Sequence, residues 1–385
     1  FGIWIFTISS LGCGLSNSET QLIIFRITQG VGSAMVFGNS VAILTSVFPS
    51  SDRGRVLGIT VAAVYTGLSV GPFAGGLLTG NFGWRSIFFI TVPMGMAILW
   101  LVYSRLKGEW KGGDEGDRLD VIASILYSVS LVGIIYGFSA LPENTGWISL
   151  AAGLIGIIFF VFREFQAQYP ILNMNLFRKN TVFAYSNLAA LINYSATFAV
   201  GFLMSLYLQY IKDMSPEKAG TILVAQPIVM AIFSPYAGKL SDRLDSRFVA
   251  SIGMAVVVIG LAMLIALDRN TGMGYIIISL VVLGFGFALF SSPNTNAVMG
   301  SVERKVYGVA SATLATMRAV GQMLSMGIAM LIFATVIGRV EITPEYHERF
   351  ITSVKIAFMI FSGLCFIGVF ASLARGKLNS SPENL

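Results

Sequence analysis

Long apolar stretches alternate with short polar ones along almost the whole chain. A helix needs about 20 apolar residues to cross the hydrocarbon core of a bilayer, and most of the stretches have about that length. The pattern therefore predicts twelve transmembrane helices. They span residues 1–16, 20–47, 56–80, 85–104, 119–140, 147–163, 182–210, 217–238, 248–267, 274–299, 308–337 and 351–373.

The composition supports a polytopic membrane protein of the all-α class. Of the 385 residues, 55% are hydrophobic and 11% are charged, with a mean hydropathy of +0.77. Soluble proteins carry about 25% charged residues. The net charge of +6 is small for this length, and the basic residues lie mostly in short loops. We interpret them as topology signals and expect no nucleic-acid partner.

The loops between the predicted helices alternate in basic content. One set holds Arg53, Arg55, Arg105, Lys107, Lys111, Arg118, Arg163, Arg178, Lys179, Lys239, Arg243, Arg247, Arg304, Lys305, Arg375 and Lys377. The other holds only Arg85, Lys212, Lys218, Arg269, Arg339 and Arg349. Because basic loops stay in the cytoplasm, the first set is predicted to be cytoplasmic, with both chain ends. We expect an integral protein of the cell membrane.

An internal repeat predicts two homologous halves. Gly30-Val31-Gly32-Ser33-Ala34 resembles Gly284-Phe285-Gly286-Phe287-Ala288, and further matches follow at a constant offset of 250. They pair Arg55 with Lys305, Gly58 with Gly308, and Gly71 with Gly321. Internal symmetry of this kind is typical of secondary transporters.

Two linkers interrupt the apolar pattern. Residues 108–118 are charged and rich in glycine, and residues 163–180 mix polar residues with a few apolar ones. We expect the second linker to lie along the cytoplasmic membrane surface. The fifth and sixth predicted helices lie between the two linkers.

The stretch Gly67-Leu68-Ser69-Val70-Gly71-Pro72-Phe73-Ala74-Gly75-Gly76 lies inside the third predicted helix. Glycines at a spacing of four share one helix face, which is then bare of side chains. Pro72 has no amide hydrogen, so the helix is expected to bend there. The pattern predicts a bent helix with a neighbouring helix pressed against its glycine face.

This stretch matches the antiporter signature of the major facilitator superfamily, which the chain resembles over its whole length. The resemblance is to the fourteen-helix drug:proton antiporter branch. The family's fourth-helix motif resembles Arg26, Gln29, Gly30, Gly32 and Ala34. The opening of its sixth helix resembles Trp84, Arg85, Phe88, Val92, Pro93 and Gly95, and its loop signature resembles residues 238–243.

The resemblance implies a division of the chain. Motifs of the family's fourth, fifth and sixth helices fall in the second, third and fourth helices here, so the first two helices of the family pattern are expected to be missing. Residues 1–104 would form an incomplete N-terminal half of four helices. Residues 105–180 would hold the linkers and a central helix pair, and residues 181–385 a C-terminal half of six helices.

The resemblance also implies roles for individual residues. Gly67, Gly71, Pro72, Gly75 and Gly76 would form a gating element, although plain helix packing explains them too. Arg26, with Gln29 and Gly30, would assist the proton-carrying group, unless Arg26 only extends to the membrane surface. Arg318 would line the cavity or hold the two halves together, or make only a structural contact. Gly238, Asp242 and Arg243 would form a cytoplasmic latch, as opposed to a solvated loop ion pair.

Several kinds of chemistry find no support in the sequence. Cys13 and Cys365 lie inside apolar spans and the only histidine, His347, lies in a polar loop, so no metal or disulfide framework is expected. No phosphate-binding glycine loop with Lys-Ser/Thr occurs, and no cofactor is expected. Every Asp and Glu lies in a loop or near a helix end, so no proton-carrying acid is identified.

The sequence thus predicts a secondary transporter, not an enzyme. It would export lipophilic or cationic drugs or toxic compounds in exchange for protons, with the bilayer, protons and a small-molecule substrate as partners. Two alternatives stay open. One is an exporter or importer of a metabolite on the same fold, and the other is a non-transporting membrane sensor or fragment.

Overall fold

A computed structural model describes residues 1–105, 120–167, 170–172, 174–338 and 342–376, apart from the side chains of Pro72, Phe73, Ser139 and Asn175. The charged linker at 108–118 and five of the counted loop cations lie outside these residues. Those cations are Lys107, Lys111, Arg118, Arg339 and Lys377.

All regular elements of the described residues are helical. We name the helices by the division that the sequence predicts. The first half then comprises α1 (Gly2–Leu15), α2 (Glu19–Val47), α3 (Arg53–Phe82) and α4 (Ser86–Arg105). The central helices are α5 (Val121–Ala140), α6 (Asn144–Gln166) and the short α7 (Met174–Lys179). The second half contains α8 (Thr181–Thr197), α9 (Ala199–Leu206), α10 (Pro216–Leu223), α11 (Ala225–Arg243), α12 (Ser246–Ile265), α13 (Met273–Gly300), α14 (Tyr307–Val336) and α15 (His347–Ala374).

The predicted all-helical membrane fold is confirmed. Eleven helical segments of the described residues are long and apolar enough to cross a membrane, and α1 is a shorter apolar helix of 14 residues. Two predicted helices are each composed of consecutive pieces. A π-helical turn at Tyr207–Ile211 extends α8 and α9, and α10 continues into α11.

Polar side chains at the helix starts explain where several helices begin. The Ser18 hydroxyl accepts a hydrogen bond from the amide of Gln21 (3.3 Å), and the Asn180 amide oxygen accepts one from the amide of Phe183 (2.9 Å). These contacts satisfy backbone donors that the first turn of a helix leaves free. Short polar loops therefore both separate the apolar spans and fix their ends.

Glycines allow the helices of the second half to pack closely. A Cβ atom at Gly253 of α12 would lie 2.6 Å from the backbone nitrogen of Phe290 in α13, and one at Gly286 would lie 2.7 Å from that of Val257. Around this contact the buried side chains of α8, α12, α13 and α15 form one apolar core. In a bilayer, such close backbone packing is a main source of helix association.

The central helices α5 and α6 pack against each other, and α5 also packs against α14. Asp120 caps α5 by accepting from the amide of Ala123 (2.9 Å) and forms an ion pair with Arg163 near the end of α6 (2.9 Å). The Arg163 guanidinium, followed by the Ala123 amide, lowers the pKa of Asp120. The pair is therefore present at neutral pH and is lost as the pH falls through that lowered pKa.

The segment predicted to lie on the membrane surface contains α7. Its Phe177 ring packs on that of Phe183 in α8, with 4.9 Å between the ring centroids. Leu176 also packs against a cluster of buried apolar residues that lies mostly in the second half and includes Ala42 of α2. The apolar side chains of this segment thus contact the helix bundle itself.

The two halves meet mainly where α3 packs along α11, with further contacts of α2 with α14 and of α3 with α13. We call the end of the bundle where α3 begins the Arg53 end, and the opposite end the Phe82 end. The sequence predicts the Arg53 end to be cytoplasmic.

Replacing Gly253 by valine should lower the free energy of unfolding by about 1–3 kcal/mol, because the added carbons would overlap the α13 backbone. Gly363→Val is the matched control, since no described atom lies within 4 Å of a Cβ atom at Gly363. Thermal unfolding of both purified variants in detergent measures the difference. Equal transitions for the two variants would contradict the packing described here.

Candidate functional site

The closest contact between the halves is a crossing of α3 and α11 at the Arg53 end. A Cβ atom at Gly54 would overlap the carbonyl oxygen of Gly238, and one at Gly58 would overlap that of Ser234. A Cβ atom at Gly238 would in turn overlap the carbonyl oxygen of Gly54. The two backbones thus touch directly, and we call this contact the α3–α11 crossing.

Asp242, at the end of α11, closes the crossing with hydrogen bonds to the start of α3. Its two carboxylate oxygens accept from the backbone amides of Gly54 (2.7 Å) and Arg55 (2.9 Å). The N-terminus of a helix carries unpaired amides and a partial positive charge, so a carboxylate is well placed there. Asp52, the N-cap residue of α3, makes no such side-chain bond. A residue of the second half therefore caps a helix of the first.

Two further contacts surround Asp242. The Asn296 side-chain amide of α13 donates to a carboxylate oxygen of Asp242 (3.3 Å) and to the Ser241 hydroxyl (3.1 Å). Arg53 donates to the Tyr307 hydroxyl (3.0 Å) at the start of α14. Two helices of the second half, α11 and α14, thus hold the start of α3, and α13 holds Asp242 in place.

The structure brings two of the three predicted latch residues into this contact. Gly238 and Asp242 belong to the α3–α11 crossing. The exposed side chain of Arg243 makes no hydrogen bond or ion pair within the described ranges. The sequence predicted a loop pair of Asp242 and Arg243. Both residues instead end helix α11, and Asp242 contacts backbone amides because free amides at the start of α3 face it.

The other side of the crossing was not among the predicted site residues. Gly54 and Gly58 are four residues apart, and so are Ser234 and Gly238. This small-xxx-small spacing is a known signal of close helix packing in membranes. It is visible in the sequence, but it does not reveal which two helices meet.

The glycine stripe of α3 lies elsewhere. Where the structure describes the chain, no atom lies within 4 Å of a Cβ atom at Gly67, Gly71, Gly75 or Gly76. No helix of the described residues is therefore pressed against this face, contrary to the prediction. A helix turns about 100° per residue, so nine residues after Gly58 the chain faces the opposite side. Gly67 thus points away from α11, and the Pro72 side chain lies outside the described residues.

Arg26 lies in a hydrogen-bonded chain between α2 and α1. It donates to the Gln29 side-chain oxygen (2.8 Å), and the buried Gln29 donates to the Ser10 hydroxyl (2.7 Å). The guanidinium also lies 5.9 Å from the centre of the Phe88 ring in α4. Arg26 is exposed, and no described atom lies within 4 Å of a Cβ atom at Gly30.

Arg318 lies among helices of the second half. It donates to the Thr295 hydroxyl of α13 and lies 5.7 Å from the centre of the Tyr194 ring of α8. The Phe287 ring contacts Tyr194 edge-on (5.3 Å) and also Tyr65 of α3 (5.8 Å). These rings link Arg318 to the boundary between the halves.

The predicted residues thus form separate groups. No hydrogen bond or ring contact of the described residues joins Arg26 to Arg318, or either one to the glycine stripe. The described part of the chain also contains no group of three or more His, Cys, Asp or Glu residues that could hold a metal ion. The arrangement provides a closed contact at one end, a partly buried cation at Arg318 and an exposed cation at Arg26.

Comparison with protein-family models gives one match that covers almost the whole chain. The model of the Major Facilitator Superfamily matches residues 1–186 and again residues 186–384.

Curated relatives are transporters by name. The riboflavin transporter RibZ of Clostridioides difficile is 28% identical over 96% of this chain and 80% of its own length. The multidrug resistance protein Stp of Mycobacterium tuberculosis is 30% identical over 86% of this chain. The match to this second relative spans only 62% of its length.

Among solved structures, the human organic anion transporter TETRAN has a similar fold. The TM-score is 0.66 at 14% sequence identity, over 96% of this chain and 75% of that chain. At this identity the similarity concerns the fold alone.

Asp242→Asn should open the start of α3. Hydrogen bonds to charged groups contribute about 1.5–3 kcal/mol, so amide exchange at Gly54 and Arg55 should become roughly ten- to a hundredfold faster. Hydrogen-exchange mass spectrometry of the purified protein measures it. Glu303→Gln, which changes an exposed carboxylate of a loop, is the control. Unchanged exchange in Asp242→Asn would refute the capping role.

Proposed function

Because this chain belongs to the Major Facilitator Superfamily, we propose that it is a proton-coupled exporter of lipophilic or cationic drugs or other toxic compounds. Its fold and relatives indicate a transporter and not an enzyme. Export would proceed by alternating access, in which the two halves rock against each other around a central site.

The α3–α11 crossing is the observation that carries this proposal. It joins the halves at one end through backbone contacts of Gly54, Gly58 and Gly238 and through one carboxylate, Asp242. Glycine contacts to a backbone have no interlocked side chains, and hydrogen bonds to Asp242 can be exchanged for hydrogen bonds to water, so this end of the interface can open when the halves rock.

The glycine stripe supports the export direction through the antiporter signature that it resembles. In α3 it follows the inward-facing Tyr65 and has open space at its face. Glycines lower the stiffness of a helix, and Pro72 removes one of its hydrogen bonds. We propose that this stretch lets the Phe82 end of α3 close as the α3–α11 crossing at the Arg53 end opens.

Proton coupling and membrane orientation are part of the same proposal. Arg26, fixed by Gln29, would respond to the group that carries the proton. The distribution of basic loops favours a cytoplasmic Arg53 end, with both chain ends on that side. The protein would then be closed towards the cytoplasm, as an exporter is at the moment of release.

The names of the relatives support drug export over other substrates. They include multidrug resistance proteins and a tetracenomycin C resistance and export protein of Streptomyces glaucescens. Together with the antiporter signature they favour the fourteen-helix branch, in which α5 and α6 would be the central pair. The riboflavin transporter favours a second candidate, transport of a metabolite on the same fold.

Purified protein in proteoliposomes should move lipophilic fluorescent dyes against their gradient when a pH gradient is imposed. Gly71→Leu should reduce this transport at least tenfold, because a bulky side chain stiffens the stripe and fills its open face. Gly363→Leu is the control, as it adds the same side chain to another helix at a glycine with open space.

The controls separate the candidate functions. Transport of riboflavin but of no dye would favour the metabolite transporter. Dye movement that does not depend on the pH gradient would refute proton antiport, and equal activity of Gly71→Leu and Gly363→Leu would refute the role of the stripe.

A further inference from the structure

Arg318 has more hydrogen-bonding capacity than the described residues use. A guanidinium has five N–H donors, and the described residues accept a single side-chain hydrogen bond from it, at Thr295. Its Nε atom is buried without a partner, and Nη1 makes no hydrogen bond to any described residue. Membrane proteins rarely place an arginine inside a helix bundle without a partner or a function.

No carboxylate of the described helices balances this charge. Each Asp and Glu of the described residues lies in a loop or within about one turn of a helix end. Away from the helix ends, the charged side chains of the described residues are Arg26, Arg318 and Lys355, and all three are cations. Arg26 is exposed, so it is the partly buried Arg318 whose charge lacks a carboxylate inside the described bundle, and that charge favours an anion over a cation.

The position of Arg318 agrees with a central site. It follows Tyr307 by eleven residues in α14, and Tyr65 follows Arg53 by twelve in α3. At 1.5 Å per residue, both lie about 17 Å from the Arg53–Tyr307 contact, near the middle of a hydrocarbon core about 30 Å thick. Arg318 and the aromatic rings next to it thus lie at mid-depth on the boundary between the halves.

Aromatic side chains hold the guanidinium in place. The Tyr194 ring lies 5.7 Å from the Arg318 carbon Cζ, and Phe287 lies edge-on to both Tyr194 and Tyr65. Gly321, one turn after Arg318, brings α14 against α8, since a Cβ atom there would lie 2.9 Å from the Cβ atom of Tyr194. The guanidinium is thus fixed beside aromatic rings, and the two tyrosine rings among them also carry phenol hydroxyls.

We propose that Arg318 is a specificity-determining residue that selects planar aromatic substrates with an anionic group. The inference rests on the proposed transport function, and it restricts the proposed substrates to anionic compounds in place of cationic ones. The guanidinium would bind a carboxylate or similar oxyanion through two parallel N–H donors, as arginine does elsewhere. Tyr65 and Tyr194 would contact the ring system of the substrate.

Two dyes with the same xanthene ring system test this selectivity. Carboxyfluorescein is anionic and rhodamine 6G is cationic, and binding of each to purified protein in detergent is followed by fluorescence anisotropy. The wild type should bind carboxyfluorescein at least tenfold more tightly than rhodamine 6G. Arg318→Gln should weaken carboxyfluorescein binding at least tenfold and leave rhodamine 6G binding unchanged or stronger. Arg318→Lys should keep part of the preference.

The control is Arg349→Gln, which removes an exposed arginine at the start of α15 and should change neither affinity. Retained rhodamine 6G binding shows that Arg318→Gln is folded. The inference is overturned if the wild type binds neither dye, if it prefers rhodamine 6G, or if Arg318→Gln weakens both dyes equally.

Transport assays distinguish a failure of this inference from a failure of the proposed function. If dye binding depends on Arg318 but a pH gradient moves neither dye, the result would support the site and refute proton-coupled export. Gradient-driven transport of both dyes that Arg318→Gln leaves unchanged would support export and refute the site.

Discussion

The direct backbone contact between α3 and α11 is the constraint on which the arrangement of the two halves depends. Gly54 and Gly58 face Ser234 and Gly238, and any side chain at the three glycines would overlap a carbonyl oxygen. Within a bilayer, apolar burial does not drive helices together, so such close packing and its polar contacts decide which helices meet. Asp242 adds a charged cap that only the second half can supply to α3.

The interior site follows from this contact. Since the α3–α11 crossing fixes the start of α3, the next turns of that helix carry Tyr65 to the level of Arg318. The aromatic contacts through Phe287 then join both halves around Arg318, which pairs with no carboxylate of the described residues. A substrate with its own negative charge would complete this site, and it would touch both of the elements that move in alternating access.

Local patterns predicted the helices well and the contacts between them poorly. Hydropathy is a property of each segment, so the twelve spans and the all-helical fold were predictable. Asp242 was predicted as a latch residue, but its partners lie 188 and 187 residues away and are backbone amides, which no local pattern marks. The spacing of Gly67, Gly71 and Gly75 shows that a helix can approach, not that one does, and no helix of the described residues lies against the stripe.

The central claim is that the α3–α11 crossing opens when the Phe82 end closes. Double electron–electron resonance, which measures distances between spin labels, tests this claim. One label pair lies at Ser51 and Lys239 and another at Asn81 and Glu217. The native Cys13 and Cys365 are buried, so labels attach to the introduced cysteines. On a change of pH, the first distance should lengthen while the second shortens. Distances that stay constant, or that change in the same direction, would contradict this account.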